Sequence, residues 1–261
     1  MKSSNLAEIE VSVIVPIYNG AKYITDCVES IFKQEGNCII ELVIINDAST
    51  DNTLSVLIDL KRKYHFHLYN LEHNKGQGYC RNLGIAKSTK PIIAFIDSDD
   101  VWESDKLSRQ LKFHISNSSG FTFTNYSFIN SDGIKIKENQ KLTRLTVDYK
   151  TLLNNNYIGT STVIINRSVI GATRFSNFRK KQDYLFWLDI LNSSKSQAHF
   201  LNESLTRYRK HSGQITSNKI KLVSLHFQVL NEHQKLSILK SIYYTISWGL
   251  LGLFKHYIYN D

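Results

Sequence analysis

Carboxylates at positions 97, 99 and 100 stand directly after a short apolar run, Ile92-Ile93-Ala94-Phe95-Ile96. The run reads as a buried strand, and acids at its C-terminal end are placed to meet a ligand. If extended backbone continues one step past the strand, Asp97 and Asp99 point to the same side. Two carboxylates so close repel unless a cation sits between them, so a divalent metal gripping a polyanionic ligand is the economical reading. The alternative is a strand-to-helix turn in which Asp100 or Ser104 caps the following helix. A second chemistry-bearing stretch, Asn74 to Gly84, contains Gly76 and Gly78 but has Arg81 where a dinucleotide fingerprint needs its third glycine. Its glycines serve a tight turn or a close approach of backbone to a ligand, with Arg81 bracing the loop or touching a nucleotide.

The elements that must position these groups alternate through the first hundred residues. Strands are expected at Val11–Val15 (ending at Pro16), Leu42–Ile45, Phe66–Leu71 and Ile92–Ile96. Helices are expected from Tyr23 to Phe32, Thr53 to Lys63 and Gln77 to Lys87. Such alternation with short connections implies an α/β fold with a mostly parallel central sheet and flanking helices on both faces. Ligands then gather where strands end, at Pro16–Asn19, Asn46–Asp51 and Asp97–Asp100. Beyond a helix at Ser104–Ser116 the pattern changes to strands Phe121–Ile129 and Thr162–Ile165 around an Asp132-Gly133 turn, then a helix at Asp183–Leu191. A nucleotide half (about 1–103) joined to a mixed acceptor half (about 104–215) is expected, followed by a helical extension, 216–261.

The chain has 261 residues, 42% hydrophobic and 21% charged, which is ordinary for a soluble domain with a full core. Its three cysteines (Cys27, Cys38, Cys80) have neither the number nor the spacing of a disulfide framework or a zinc site, which favours a reducing cytoplasm. No apolar leader is visible at Met1–Ala7. The formal charge is +9, and from Leu205 onward eight Lys/Arg face only two acids. An anionic partner follows: nucleic acid, a membrane face or a phosphorylated substrate. No nucleic-acid-binding signature is present, so nucleic acid is not expected. In the extension, Ile238, Leu239, Ile242, Tyr243, Ile246, Leu250, Leu253, Phe254 and Tyr257 form one stripe, with Lys240, Tyr244, Ser247 and Lys255 opposite. Only fourteen residues separate Lys240 from Lys255, too few to span a bilayer. This amphipathic helix either lies in a membrane interface or packs on the domain.

Taken in order, Val13–Asn19, Ile45–Asp51, Asn74–Gly84, Asp97-Ser98-Asp99, Gln182-Asp183 and Tyr208-Arg209-Lys210-His211-Ser212 resemble the family 2 glycosyltransferases, inverting enzymes of the GT-A fold. The tail is similar to that of bacterial enzymes adding single sugars to lipid-linked surface polysaccharide, of the O-antigen, capsule or teichuronic-acid type.

The resemblance implies transfer of one sugar from a UDP-sugar to a hydroxyl of a polyprenyl-diphosphate-linked saccharide, by a peripheral protein at the cytoplasmic face of the inner membrane. It places Tyr18 and Asp47 at the uracil, and Lys75, Gly76, Arg81 and Asp97 around the nucleotide. Asp97, Asp99 and His211 become the ligands of Mn²⁺ or Mg²⁺. Asp183 becomes the base that takes the acceptor's proton; its other reading is the N-cap of its helix. Gln182 departs from the family's acidic pair, which should leave Asp183 with a lower pKa than a pair would. Asp51 is read as the cap of the next helix. Two readings of other classes stay open: an idle sugar-nucleotide binder, and a nucleotidyltransferase, although residues 13–22 lack a glycine- and lysine-rich triphosphate loop.

Overall fold

The structure is a computed structural model describing residues 9–118, 120–139, 142, 144–176, 178, 181–210 and 219–258, with backbone alone at 219–221 and 252–258. The first half alternates as expected: β1 (Ile9–Ile17), α1 (Ile24–Phe32), β2 (Cys38–Asn46), α2 (Thr53–Lys63), β3 (His67–Asn70), α3 (Gln77–Lys87) and β4 (Ile92–Phe95). There follow β5 (Val101–Trp102), α4 (Lys106–Ser116), β6 (Phe121–Ile129), β7 (Lys135–Glu138), β8 (Thr146–Val147), α5 (Tyr149–Asn154), β9 (Val163–Asn166) and α6 (Arg167–Ile170). The chain continues with α7 (Gln182–Ser194), β10 (Ala198–Arg209), α8 (Lys219–Gln228) and α9 (Ile238–Ile258).

One ten-stranded sheet runs β3-β2-β1-β4-β9-β6-β10-β5, with β7 beside β6 and β8 beside β10. The first four strands are mutually parallel, β9 is antiparallel to both its neighbours, and β10 runs parallel to β6. Parallel strands buried on both faces explain the unbroken apolar run of β1, whose residues 11 to 17 are all buried. One face packs Ile24, Val28, Leu57 and Leu107 from α1, α2 and α4. The other carries Phe95, Phe121 and Phe123 against Phe186, Trp187 and Leu188 of α7.

Pro16 does not end β1. Pairing with β2 continues to Ile17↔Asn46, while pairing with β4 stops at Ile14↔Phe95. Ile14 accepts from Ile96 on the β4 side and Ile17 accepts from Asp47 on the β2 side, so the missing Pro16 N–H faces the vacated β4 side. No ladder donor is lost there. The Asp132-Gly133 turn leads not to residue 162 but to β7, a short strand whose sequence signal is the alternation Ile134-Lys135-Ile136-Lys137.

The terminal helix α9 is docked with its polar face inward. Ser241 and Thr245 are buried, the Ser247 hydroxyl donates to Asn154, and Trp248 stacks on His226 at 4.7 Å. Small side chains allow that approach. The expected apolar stripe faces outward instead: Ile238, Leu239, Ile242, Tyr243, Ile246 and Leu250 are each between 42% and 81% exposed. Leu253, Phe254, Lys255 and Tyr257 fall outside the described side chains. No helix among the described residues is long and apolar enough to cross a membrane.

Candidate active site

Loops at the carboxyl ends of β1, β2 and β3 are tied into one rim. Asn19, in left-handed backbone at φ 50°, accepts the Thr50 N–H at 2.8 Å, and its own N–H donates to the Ser49 hydroxyl. Asn46 links to Asn70, and the Ser49 hydroxyl donates back to it. The N-cap position of α2 is Asn52 rather than the expected Asp51; Asp51, one residue earlier, accepts the Thr53 N–H at 3.0 Å and also holds the Ala21 N–H. Tyr18 follows β1 directly and is 47% exposed.

Asp47 is buried, and its two oxygens accept the Lys75 and Gly76 N–H groups at 2.6 and 2.8 Å. The loop before α3 is therefore hung on this carboxylate. The Lys75 backbone, not its ammonium, makes that contact, and the side chain is exposed. Gly76 supplies φ +88° at the head of α3, where a side chain would find open space but strained backbone. Gly78 serves close approach: a methyl added there would sit 2.9 Å from Gln182 Oε1. The neighbour is thus a side chain of α7 rather than a ligand.

The extended geometry expected through Asp97 and Asp99 is not what the chain adopts. β4 ends at Phe95, and the Asp100 N–H donates to Asp97 O in a turn. Burial, and then the charges of Asp97 and Asp99, raise the Asp100 pKa. Asp100 is not a helix cap. It is 1% exposed and accepts the Ser161 hydroxyl and, at 3.0 Å, the Arg209 N–H. Ser161 in turn accepts the Asp97 N–H, and the buried Arg209 guanidinium holds Asp99 O and Asp26. Ser104 donates to Glu35 rather than capping α4.

Arg81 and Asp97 form a pair at 2.5 Å, with the Arg81 side chain only 4% exposed. Among the described residues Arg81 Nε is buried with no partner. A cationic donor left unpaired beside a cavity is suited to an anionic ligand. That cavity, about 220 Å³, is lined by Gln77, Arg81, Asp97, Thr160, Lys181, Gln182 and Asp183. Three expected site residues from α3, the β4 loop and α7 thus share one space.

Asp183 lies in the first turn of α7, whose N-cap position is taken by Lys181 in left-handed backbone at φ 53°. Asp183 is therefore not the cap. Its carboxylate accepts Asn156 Nδ2 at 3.2 Å. Burial raises its pKa, against the lowering effects of the Tyr184 N–H and Arg81, and Asp97 adds to the rise. So the carboxyl titrates above its ordinary range even without an acidic partner at 182. Burial also brings Lys181 down to about 8. Its ammonium sits 3.0 Å from His226 Nδ1 and 4.5 Å from the Trp248 ring centre, joining this cavity to α8 and α9.

Sequence reasoning missed Lys181, Thr160, Asn156 and the Asp100–Ser161 pair. A lysine just before Gln182-Asp183 and the polar stretch Gly159-Thr160-Ser161-Thr162 were the available signals. His211 lies outside the described residues. Among those described, no group of three or more His, Cys, Asp or Glu is placed to hold an ion. By donor chemistry, Asp97 and Asp99 offer the hard carboxylate oxygens that a magnesium or manganese ion takes alongside phosphate oxygens and water.

The profile described as glycosyl transferase family 2 matches residues 12–176. A Bacillus subtilis glycosyltransferase named for teichuronic acid biosynthesis, TuaG, is 34% identical over 92% of this chain and 94% of its own length. The Escherichia coli enzyme WfgD, a UDP-Glc:α-D-GlcNAc-diphosphoundecaprenol β-1,3-glucosyltransferase by name, is 32% identical over 94% of both chains. Among solved structures, Staphylococcus aureus TarS 1–349 with UDP superposes with a TM-score of 0.68 at 22% identity, over 92% of this chain and 70% of that one. The Pyrobaculum calidifontis mannosyltransferase PcManGT with GDP-Man and Mn²⁺ gives 0.67 at 17%, over 90% and 69%. These likenesses agree with the strand order: the chain belongs to glycosyl transferase family 2 and has the GT-A fold.

Proposed function

We propose that this glycosyltransferase moves a single sugar from a UDP-sugar to a hydroxyl of a saccharide carried on a polyprenyl diphosphate, inverting the anomeric centre, during assembly of a bacterial cell-surface polysaccharide. The observation that carries the reading is the cavity in which Asp183, its pKa raised by burial, faces the Arg81–Asp97 pair. Residues 1–103 form the nucleotide half, 104–215 the acceptor half and 216–261 the extension. Tyr18 stacks on the uracil, and Asp47 lies near it while shaping the Lys75-Gly76 loop.

Asp183 accepts the proton of the attacking hydroxyl, whose oxygen bonds to the anomeric carbon from the face opposite the leaving UDP. UDP departs with the electron pair of the broken bond. Arg81 faces the anionic leaving group, with Nε as a donor still to be satisfied. A Mn²⁺ or Mg²⁺ ion held by Asp97 and Asp99, with His211 as a further ligand, would supply Lewis-acid neutralisation of that group. The enzyme works at the cytoplasmic face of the inner membrane, with the exposed stripe of α9 in the interface and the basic C-terminal fifth toward anionic headgroups.

Asp183→Asn should lower turnover by about two to four orders of magnitude, the usual worth of a general base, and leave UDP affinity intact. Near-full activity would remove Asp183 from the mechanism. A thermal-shift series across UDP-, GDP- and dTDP-sugars with manganese tests the donor class, and preference for GDP would overturn the uracil assignment. Absence of transfer and of donor hydrolysis under all donors would favour an idle binder.

A further inference from the structure

Across β7, β6 and β10, Lys137, Phe128 and Tyr208 stand opposite one another in register, so their side chains share one face of the sheet. Tyr126 joins them: its ring lies 5.3 Å from Phe128 and 5.9 Å from Tyr208, and Phe128 and Tyr208 meet edge-on at 6.0 Å. Two exposed ammonium groups border this aromatic patch, Lys210 at 4.2 Å and Lys137 at 5.8 Å from the Phe128 ring centre. Tyr208 keeps 37% of its surface exposed. The patch lies beside the segment that lines the reaction cavity. A methyl added at Gly159 would sit 3.8 Å from Tyr126 Cε1, and the next residue, Thr160, lines the cavity.

We infer that Tyr208, Phe128, Lys137 and Lys210 form the acceptor subsite, with the acceptor's sugar ring against Tyr208 and its diphosphate between the two lysines. The inference rests on the lipid-diphosphate acceptor proposed above. Aromatic edges and faces suit the apolar C–H surface of a pyranose, while two flexible ammonium groups suit a diphosphate with no fixed geometry. The donor's diphosphate has its own cation in Arg81, so a second basic pair, Lys137 and Lys210, matches a second diphosphate.

The test is calorimetry of α-GlcNAc-diphosphate bearing a short alkyl chain, and of the same alkyl GlcNAc without diphosphate, with UDP and manganese saturating the donor site. The diphosphate compound should bind at least about tenfold more tightly to the native protein. The Lys137→Ala/Lys210→Ala variant should lose that advantage, and Tyr208→Ala should weaken both compounds. Both lysines are exposed, so the double variant folds as the native protein does. Equal affinity of the double variant and the native protein for the diphosphate compound would overturn the inference, as would a loss confined to UDP. If the native protein binds the compound through these lysines but transfers no sugar to it, the subsite stands and the proposed reaction falls.

Discussion

Asp183 carries the proton balance of the proposed reaction, and its surroundings set the pH at which it can act. A base works only when deprotonated, so kcat/KM should fall as pH drops through the Asp183 pKa. Burial places that limb above the ordinary aspartate value of about 4. Asn156 donates to the charged form, so Asn156→Ala should move the limb to still higher pH, by up to about one unit. An unmoved limb would assign it to another group. Lys106 offers a stability test remote from the reaction. It is fully buried over the Trp102 ring, its ammonium donates to Gln110, and burial brings its pKa down to about 7. Below pH 7 it is charged in both folded and unfolded chains, and the burial cost is present in full. Between about 7 and 10 the unfolded chain binds the extra proton, so stability rises with pH. Lys106→Met should therefore stabilise the fold at pH 6.5 by on the order of 2–4 kcal/mol, less the lost Gln110 contact, with the gain shrinking toward pH 9.5. A pH-independent change in Tm would show that Lys106 does not titrate in this range.

Among the elements, α9 makes the sharpest claim, since it buries Ser241 and Thr245 and leaves isoleucine and leucine in water. A helix so oriented loses little on reversal unless its outward face meets something apolar. Ile242→Asp/Ile246→Asp should abolish cosedimentation with anionic liposomes while shifting Tm by less than a few degrees, because both side chains are exposed. Cosedimentation of the double variant, or of a chain truncated after residue 234, equal to that of the native chain would sink the interface role. The inward face reaches the cavity through the Tyr184–His226–Trp248 stack, against which Lys181 rests. The turn after β4 depends equally on distant elements: Ser161→Ala should cost about 1–3 kcal/mol, because Asp100 and the Asp97 N–H both lose a buried partner. Thermal unfolding would measure it, and no loss would mean that another group holds the turn.

At the level of the whole molecule the fold brings the proposed nucleotide half and a helix with an apolar outer face into one sheet-centred unit. Asp99→Ala should abolish the tightening of UDP binding by manganese, read as calorimetric affinity with and without chelator. Unchanged metal-dependent affinity would count against Asp97 and Asp99 as ligands. In the native protein, chelation should weaken UDP binding and slow transfer together, since both depend on the same diphosphate.

Much was legible in the sequence because it is local. Helices Thr53–Lys63 and Gln77–Lys87 and strand Phe121–Ile129 coincide with α2, α3 and β6, since side-chain periodicity and turn residues act within a few positions. The family motifs in order marked Arg81, Asp97 and Asp183, which do share a cavity. What periodicity could not contain was direction in space. The alternation Ile134-Lys135-Ile136-Lys137 carries no partner with it: both isoleucines stay exposed, and β7 forms where β6 offers an edge. Asp100 looked like a cap and became the buried acceptor for Ser161 and Arg209, 61 and 109 residues away. The stripe on α9 was plain in the sequence, but only packing decided that its polar face would turn inward. Long-range contacts set burial, and burial sets which hydrogen bonds and charges a side chain must satisfy.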